Sequence, residues 1–193
     1  SGFFDDSTND YMIMLIECFR LMKKQFILMH IFLKKQSDDE INIKIPENHK
    51  SSINNTIKNI KKIVLIKKID PLVLQKAFKN LAKICNAEST ICTSFVEEGF
   101  ILICFQFLKE KSLAFSEVVN FLGELSIRSQ RALDEYPPDY PKFLQQFLIE
   151  EYPDKMVKSV LKLIDLLSFS TVAAKKMIEL DGFLENLLNN DRS

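Results

Sequence analysis

Tryptophan is absent from this 193-residue chain, and histidine, glycine and proline are scarce, at two, four and six residues. Each scarcity excludes something. Sheet proteins turn often and draw on glycine and proline to do it, so the shortage of both argues against an all-β chain, and the helical pattern below makes the expectation all-α. The two histidines, His30 and His49, have no H-x-x-x-H spacing. The cysteines, Cys18, Cys85, Cys92 and Cys104, include no C-x-x-C pair, so the sequence offers no metal site of the zinc type. All four sit among apolar neighbours, which reads as buried free thiols in a reducing compartment. No glycine-rich phosphate loop or G-x-S-x-G elbow occurs. The adjacent acidic pairs, Asp38/Asp39, Glu97/Glu98 and Glu150/Glu151, fall at helix ends or in loops. Neighbouring residues on a helix point apart, so none of these pairs makes an acid–base dyad. The expectation is a protein without catalytic residues, metal or cofactor.

What is present is ordinary globular composition: 47% hydrophobic, 27% charged and a formal net charge of zero. That balance gives no global attraction to nucleic acid or membrane. The most apolar segment, 11–33, is interrupted by Glu17, Arg20, Lys23, Lys24 and His30. It therefore falls short of the roughly 20 uninterrupted apolar residues of a membrane span. The cytoplasm or nucleus is the expected location. Residues 1–9, which open on Ser-Gly, read as a disordered segment with a tag-cleavage scar.

Along the chain, Asp10 is a candidate cap for a long helix, 10–35, whose apolar positions cover most of its circumference. The pattern predicts burial on more than one side, as for a capping helix. Residues 36–52 are polar, contain Pro46 and lack helical period, so they read as a mobile loop. From Ile53 the pattern is regular. Ile53, Ile57, Ile60 and Val64 form one stripe. Asp70-Pro71 stops that helix and starts the next, in which Leu74, Phe78, Leu81 and Cys85 face inward and Gln75, Lys76, Lys79 and Lys83 face away. A short helix over 89–96 runs to Gly99, and Phe100 opens another. The cycle recurs over 115–149, with a short helix at 129–135 and the proline-rich YPPDYP as its joint. It recurs again from Pro153, with Ser170 capping a short helix that runs to Gly182.

Leu81, Leu122 and Ile164 align, as do Ile84, Leu125 and Leu167, at a spacing of about 41 to 42 residues, a period typical of helical solenoids. The periodicity alone also fits a single irregular helical bundle. The order long helix, short helix, acidic residue, glycine, apolar helix resembles the armadillo repeat. It is carried by LAKICNAESTICTSFVEEGFILICFQFL (81–108) and LIDLLSFSTVAAKKMIELDGFLENLL (163–188). The middle copy, LGELSIRSQRALDEYPPDYPKFLQQFL (122–148), replaces the glycine turn with prolines. The resemblance spans about 140 residues. It implies an armadillo-like right-handed superhelix of about three repeats over 53–193 (53–99, 100–140 and 141–182, then a partial C-terminal helix), with 10–35 as N-terminal cap. It also implies a non-catalytic scaffold domain that binds a peptide or helix of another protein along a groove or at an end cap.

By the same resemblance the groove is lined by the last helix of each repeat, which gives Thr93, Glu97, Gln130, Arg131, Lys175, Lys176 and Glu179 as partner contacts. The tryptophans that members of the family use to bind basic peptides have no counterpart here. A second reading is a regulatory domain acting on a nucleotide-binding protein, either a chaperone exchange factor or a GTPase-binding domain of the formin N-terminal type. Charge is polarised along the sequence. Residues 50–83 hold nine lysines and one acid, for about +8, and 134–154 hold six acids and one lysine, for about −5. The basic face comprises Lys58, Lys61, Lys62, Lys67, Lys68, Lys76 and Lys79. It reads either as a solvated helix surface or as a surface that recruits an acidic peptide or makes a weak peripheral contact with an anionic membrane. The lack of arginine and interleaved aromatics there argues against nucleic acid. Phe183, Leu184, Leu187 and Leu188 form a terminal apolar face. That face calls for the helix to fold back, for a second copy of the chain, or for further repeats.

Overall fold

The structure is a computed structural model that describes residues 6–38 and 47–190. It is all-α, with ten α-helices and one 3-10 turn among the described residues. They are α1 (Asp6–Asp38), α2 (Glu47–Val64), α3 (Pro71–Ala87), α4 (Ile91–Glu97), α5 (Phe100–Glu110), α6 (Phe115–Arg128), the 3-10 turn (Ala132–Glu135), α7 (Tyr140–Ile149), α8 (Asp154–Leu167), α9 (Thr171–Glu179) and α10 (Phe183–Asn189). The chain divides into two compact units, Ser1–Ala77 and Phe78–Ser193.

In the first unit α1 and α2 pack as a helical pair. The expected stripe of α2, Ile53, Ile57, Ile60 and Val64, is buried. Thr56 donates its hydroxyl hydrogen to Gln25 Oε1 at 3.2 Å, a buried polar pin between the two helices. Three expectations change here. Asp10 is no cap, because α1 begins at Asp6; the turn before Asp10 has no glycine or proline to stop the helix. The predicted loop 36–52 is narrower, since α1 runs to Asp38 and α2 begins at Glu47, leaving 39–46 outside the described residues. Nothing in the sequence of 47–52 breaks a helix. Burial of α1 on more than one side is also wrong. Leu15, Met22, Gln25 and Met29 are buried, while Ile13, Leu21, Ile27, Leu28 and Ile31 are exposed. One packed neighbour covers one stripe, whatever the remaining circumference is made of.

The break at Asp70-Pro71 falls where expected. Pro71 is the first residue of α3, and Asp70 Oδ1 accepts the Leu72 N–H at 2.8 Å, satisfying one of the orphan donors of a helix start.

In the second unit the core is aromatic. Phe121, fully buried on α6, has its ring 5.5 Å from Phe95, 5.8 Å from Phe78 and 6.0 Å from Phe100. A second chain of rings links Phe105, Tyr136 and Tyr140, each step 5.0 Å. Phe143, Phe147 and Phe115 continue on α7 and α6, with Phe147 5.5 Å from Phe143 and 5.3 Å from Phe115. The helix α6 packs against α4, α5 and α8. Its approach to α8 uses Gly123, where an added Cβ would come 3.0 Å from Leu166 Cδ1. The short helix expected over 129–135 is only the 3-10 turn at Ala132–Glu135. Tyr136 precedes Pro137 and is extended, at φ −64° and ψ 141°, as the residue before proline prefers.

No single described helix is long and apolar enough to cross a membrane. Taken together α4 and α5 reach the composition, but they are bent by 72° and Phe95, Phe100 and Phe105 lie buried in the protein.

The bend between α4 and α5 is Gly99, left-handed at φ 84° and ψ 18°. Its N–H reaches back to the Val96 carbonyl at 3.0 Å. Gly182 (φ 77°) repeats the geometry between α9 and α10. A β-branched residue pays for the left-handed region at both joints. Gly99→Val and Gly182→Val should each cost about 1–2 kcal/mol or more, which lowers the melting temperature by several degrees for a chain of this size. Unchanged melting in both variants would contradict the role given to the two glycines.

Candidate functional site

The residues expected to line a groove come into two groups. Glu97, on α4, faces Arg131, in the turn before Ala132, with 3.8 Å between carboxylate and guanidinium. Thr93 is half-buried on α4, and Gln130 is exposed beside Arg131. On α9, Lys175 and Glu179 pair one helical turn apart at 3.9 Å, and the Lys176 ammonium lies 5.8 Å from the centre of the Tyr140 ring. Among the described residues no hydrogen bond or ion pair joins one group to the other. These exposed pairs are worth little energetically, of the order of a few tenths of a kcal/mol.

Around α9 lies an open depression lined by Phe169, Ala174, Lys175, Ile178 and Glu179. Phe169 sits in the turn between α8 and α9 and is 85% exposed, and Val172 and Ile178 are both 62% exposed. Ser170 caps the helix as expected, with its hydroxyl accepting the Ala173 N–H at 3.3 Å. The resemblance gave Lys175 and Glu179 as partner contacts but did not identify Phe169. A large aromatic between two serines, outside any helical stripe, was the available signal.

The terminal apolar face is partly closed. Phe183 is buried and Leu187 half-buried as α10 folds onto α7 and α9. Gln145 Nε2 holds the Asp181 carbonyl at 2.9 Å, and Asn190 Nδ2 holds the Leu148 carbonyl at 2.9 Å. Leu184 and Leu188 stay exposed.

In the basic face, Lys58 and Lys62 are exposed on α2, and Lys61 is half-buried. Lys61 and Lys62 occupy the last turn of α2, where a cation favours the negative end of the helix dipole. Lys67 and Lys68 follow in the turn, with Lys68 left-handed at φ 65°. Lys76 and Lys79 are exposed on α3. Part of the lysine run is thereby accounted for by helix termination.

A second concavity of about 250 Å³ lies on the second unit, where α3, α6 and α8 meet. Lys83 and Asn86 come from α3, Asn120 and Glu124 from α6, and Lys162 from α8, with Leu163 and Leu166 beneath. Arg128, one turn after Glu124, donates Nε–H to the Glu124 carboxylate at 2.6 Å and Nη2–H to Asn86 Oδ1 at 2.8 Å. The carboxylate beside it holds the Arg128 guanidinium above its ordinary pKa. Reading one helix at a time identified Lys83 only as outward-facing. The sequence alignment pairs Asn120 with Lys162, each two residues before Leu122 and Ile164, and Lys83 with Glu124, each two residues after Leu81 and Leu122.

Cys85, Cys92 and Cys104 are buried free thiols as expected, and Cys18 is half-buried. Cys85 is pushed up by its hydrogen bond with Cys92 and then by burial, and Cys104 by burial alone. Burial likewise raises the Tyr136 phenol, with the hydrogen bond to Ser126 opposing in part.

No protein-family model matches the chain, and no curated protein or solved structure matches it either.

Folded Cys104 and Tyr136 keep protons that the unfolded chain releases, so stability falls wherever the unfolded groups ionise. Unfolding free energy from urea titration should hold steady to about pH 8, decline above the ordinary thiol pKa of about 8.5, and steepen above about pH 10. Tyr136→Phe should flatten the part above pH 10. A stability flat from neutral pH through that range would contradict the burial of these groups.

Proposed function

We propose that the chain is a non-catalytic protein-interaction domain that binds a segment of a partner protein at the face around α9. The observation that carries this is Phe169, 85% exposed and flanked by exposed Val172 and Ile178, with Lys175 and Glu179 beside the same depression. Exposing a whole aromatic ring to water is unfavourable by about 1.5–3 kcal/mol relative to burial. Clustered apolar side chains with a charged rim are the usual composition of an interface. The ion pair Lys175–Glu179 supplies both signs of charge at the rim, which suits orientation of a partner more than bulk attraction.

We read the helical framework as an armadillo-like array of about three repeats, with α1 as a cap. Supporting it, α3, α6 and α8 bury aligned positions: Leu74, Phe115 and Val157; Ala77, Val118 and Val160; Leu81, Leu122 and Ile164. Each helix is followed by a short helical element and then another helix.

Selection from a displayed random-peptide library against the whole protein tests the reading. Selected peptides should bind with micromolar affinity and lose about tenfold or more to Phe169→Ser. The melting temperature should hold, because an exposed side chain contributes little to folding. Peptides that bind a Phe169→Ser, Ile178→Ser double variant as tightly as the parent would overturn the assignment of this face, and a library that yields no binder would overturn the function.

A further inference from the structure

We infer that the pocket between α3, α6 and α8 is a binding site for a phosphoryl group, separate from the α9 face. The inference starts from charge. Three ionisable side chains line the pocket: Lys83, Glu124 and Lys162. The Glu124 carboxylate is already matched by Arg128 at 2.6 Å. Among the described residues neither the Lys83 nor the Lys162 side chain forms an ion pair or hydrogen bond. The lining therefore carries two uncompensated positive charges, supplied by different helices. A phosphate monoester at neutral pH carries about −1.5 to −2, which balances them; a carboxylate balances half.

The hydrogen-bonding groups agree with the charge. Arg128 Nη2 occupies Asn86 Oδ1 at 2.8 Å, which fixes the amide so that its NH₂ group is left to donate elsewhere. Asn120 adds a second amide. Two ammonium groups and two amides are donors, and the one acceptor among the lining side chains of comparable strength, Glu124, is engaged by the guanidinium. Such a set favours an oxyanion over a cation or a neutral polar group. At about 250 Å³ the pocket has room for the phosphoryl group and the first atoms of its carrier. The apolar floor at Leu163 and Leu166 leaves the floor side chains without groups that compete for the ligand's oxygens.

Isothermal titration with inorganic phosphate, a phosphoserine-containing Gly/Ser peptide and its glutamate counterpart tests the site. The phosphopeptide should bind more tightly than the glutamate peptide. Lys83→Gln and Lys162→Gln should each weaken phosphate-type binding by about tenfold, with far-UV dichroism and melting unchanged. Lys109→Gln, an exposed lysine on α5, should leave it unaltered. Inorganic phosphate as tight as the phosphopeptide assigns the site to the free ion, and a tighter phosphopeptide assigns it to a modified residue. Three results would overturn the site: no binding by any phosphorylated probe, equal affinity for the glutamate peptide, or equal loss in Lys109→Gln. None of them touches peptide binding at Phe169, so the two readings fail separately.

Discussion

The contacts of one buried ring, Phe121, set the order of the second unit. Its neighbours Phe78, Phe95 and Phe100 come from α3, α4 and α5, and all three contacts are edge-on or tilted. Phe95 also meets Phe100 across the glycine joint, at 5.1 Å and 89°. Such pairs add about 0.5–1.5 kcal/mol each beyond area burial. Set against a net stability of about 5–15 kcal/mol for a domain, this cluster is a large share. The left-handed Gly99 is what lets two adjacent helices present both rings to the same centre.

That centre also determines what the outer surface displays. With Phe121, Leu122 and Leu125 inward on α6, Asn120 and Glu124 are carried to its outer side. The close approach at Gly123 brings α8 alongside. Lys162 thereby joins side chains from α3 across one concavity, though sequence separates it from Lys83 by almost eighty residues. The α9 face arises differently. There the chain makes a short turn after α8, and Phe169 falls outside the stripe formed by Val160, Ile164 and Leu167, so no neighbour covers it.

Much of this could be read from the residues, for local reasons. Asp70-Pro71, Ser170, Gly99 and Gly182 act through backbone geometry and capping that depend on a few adjacent positions, and each ends or starts a helix where the pattern placed it. The inward stripes of α2 and α3 follow from period alone. What failed depended on neighbours. The apolar circumference of α1 implied burial on more than one side, but α2 covers a single stripe. Residues 50–52 look polar because they lie on an exposed part of α2. The pocket went unrecognised because period separates inside from outside on one helix and says nothing about which outward residues of three helices converge.

Native-state hydrogen exchange tests the organisation around α6 most directly. If the aromatic cluster holds the second unit together, amides of Val118–Leu125 should exchange only through global unfolding, and those of α9 and α10 should open locally at much lower free energy. Exchange in α6 as fast as in α9 would contradict the account, because the helix carrying Phe121 would then open independently of the core it is held to organise.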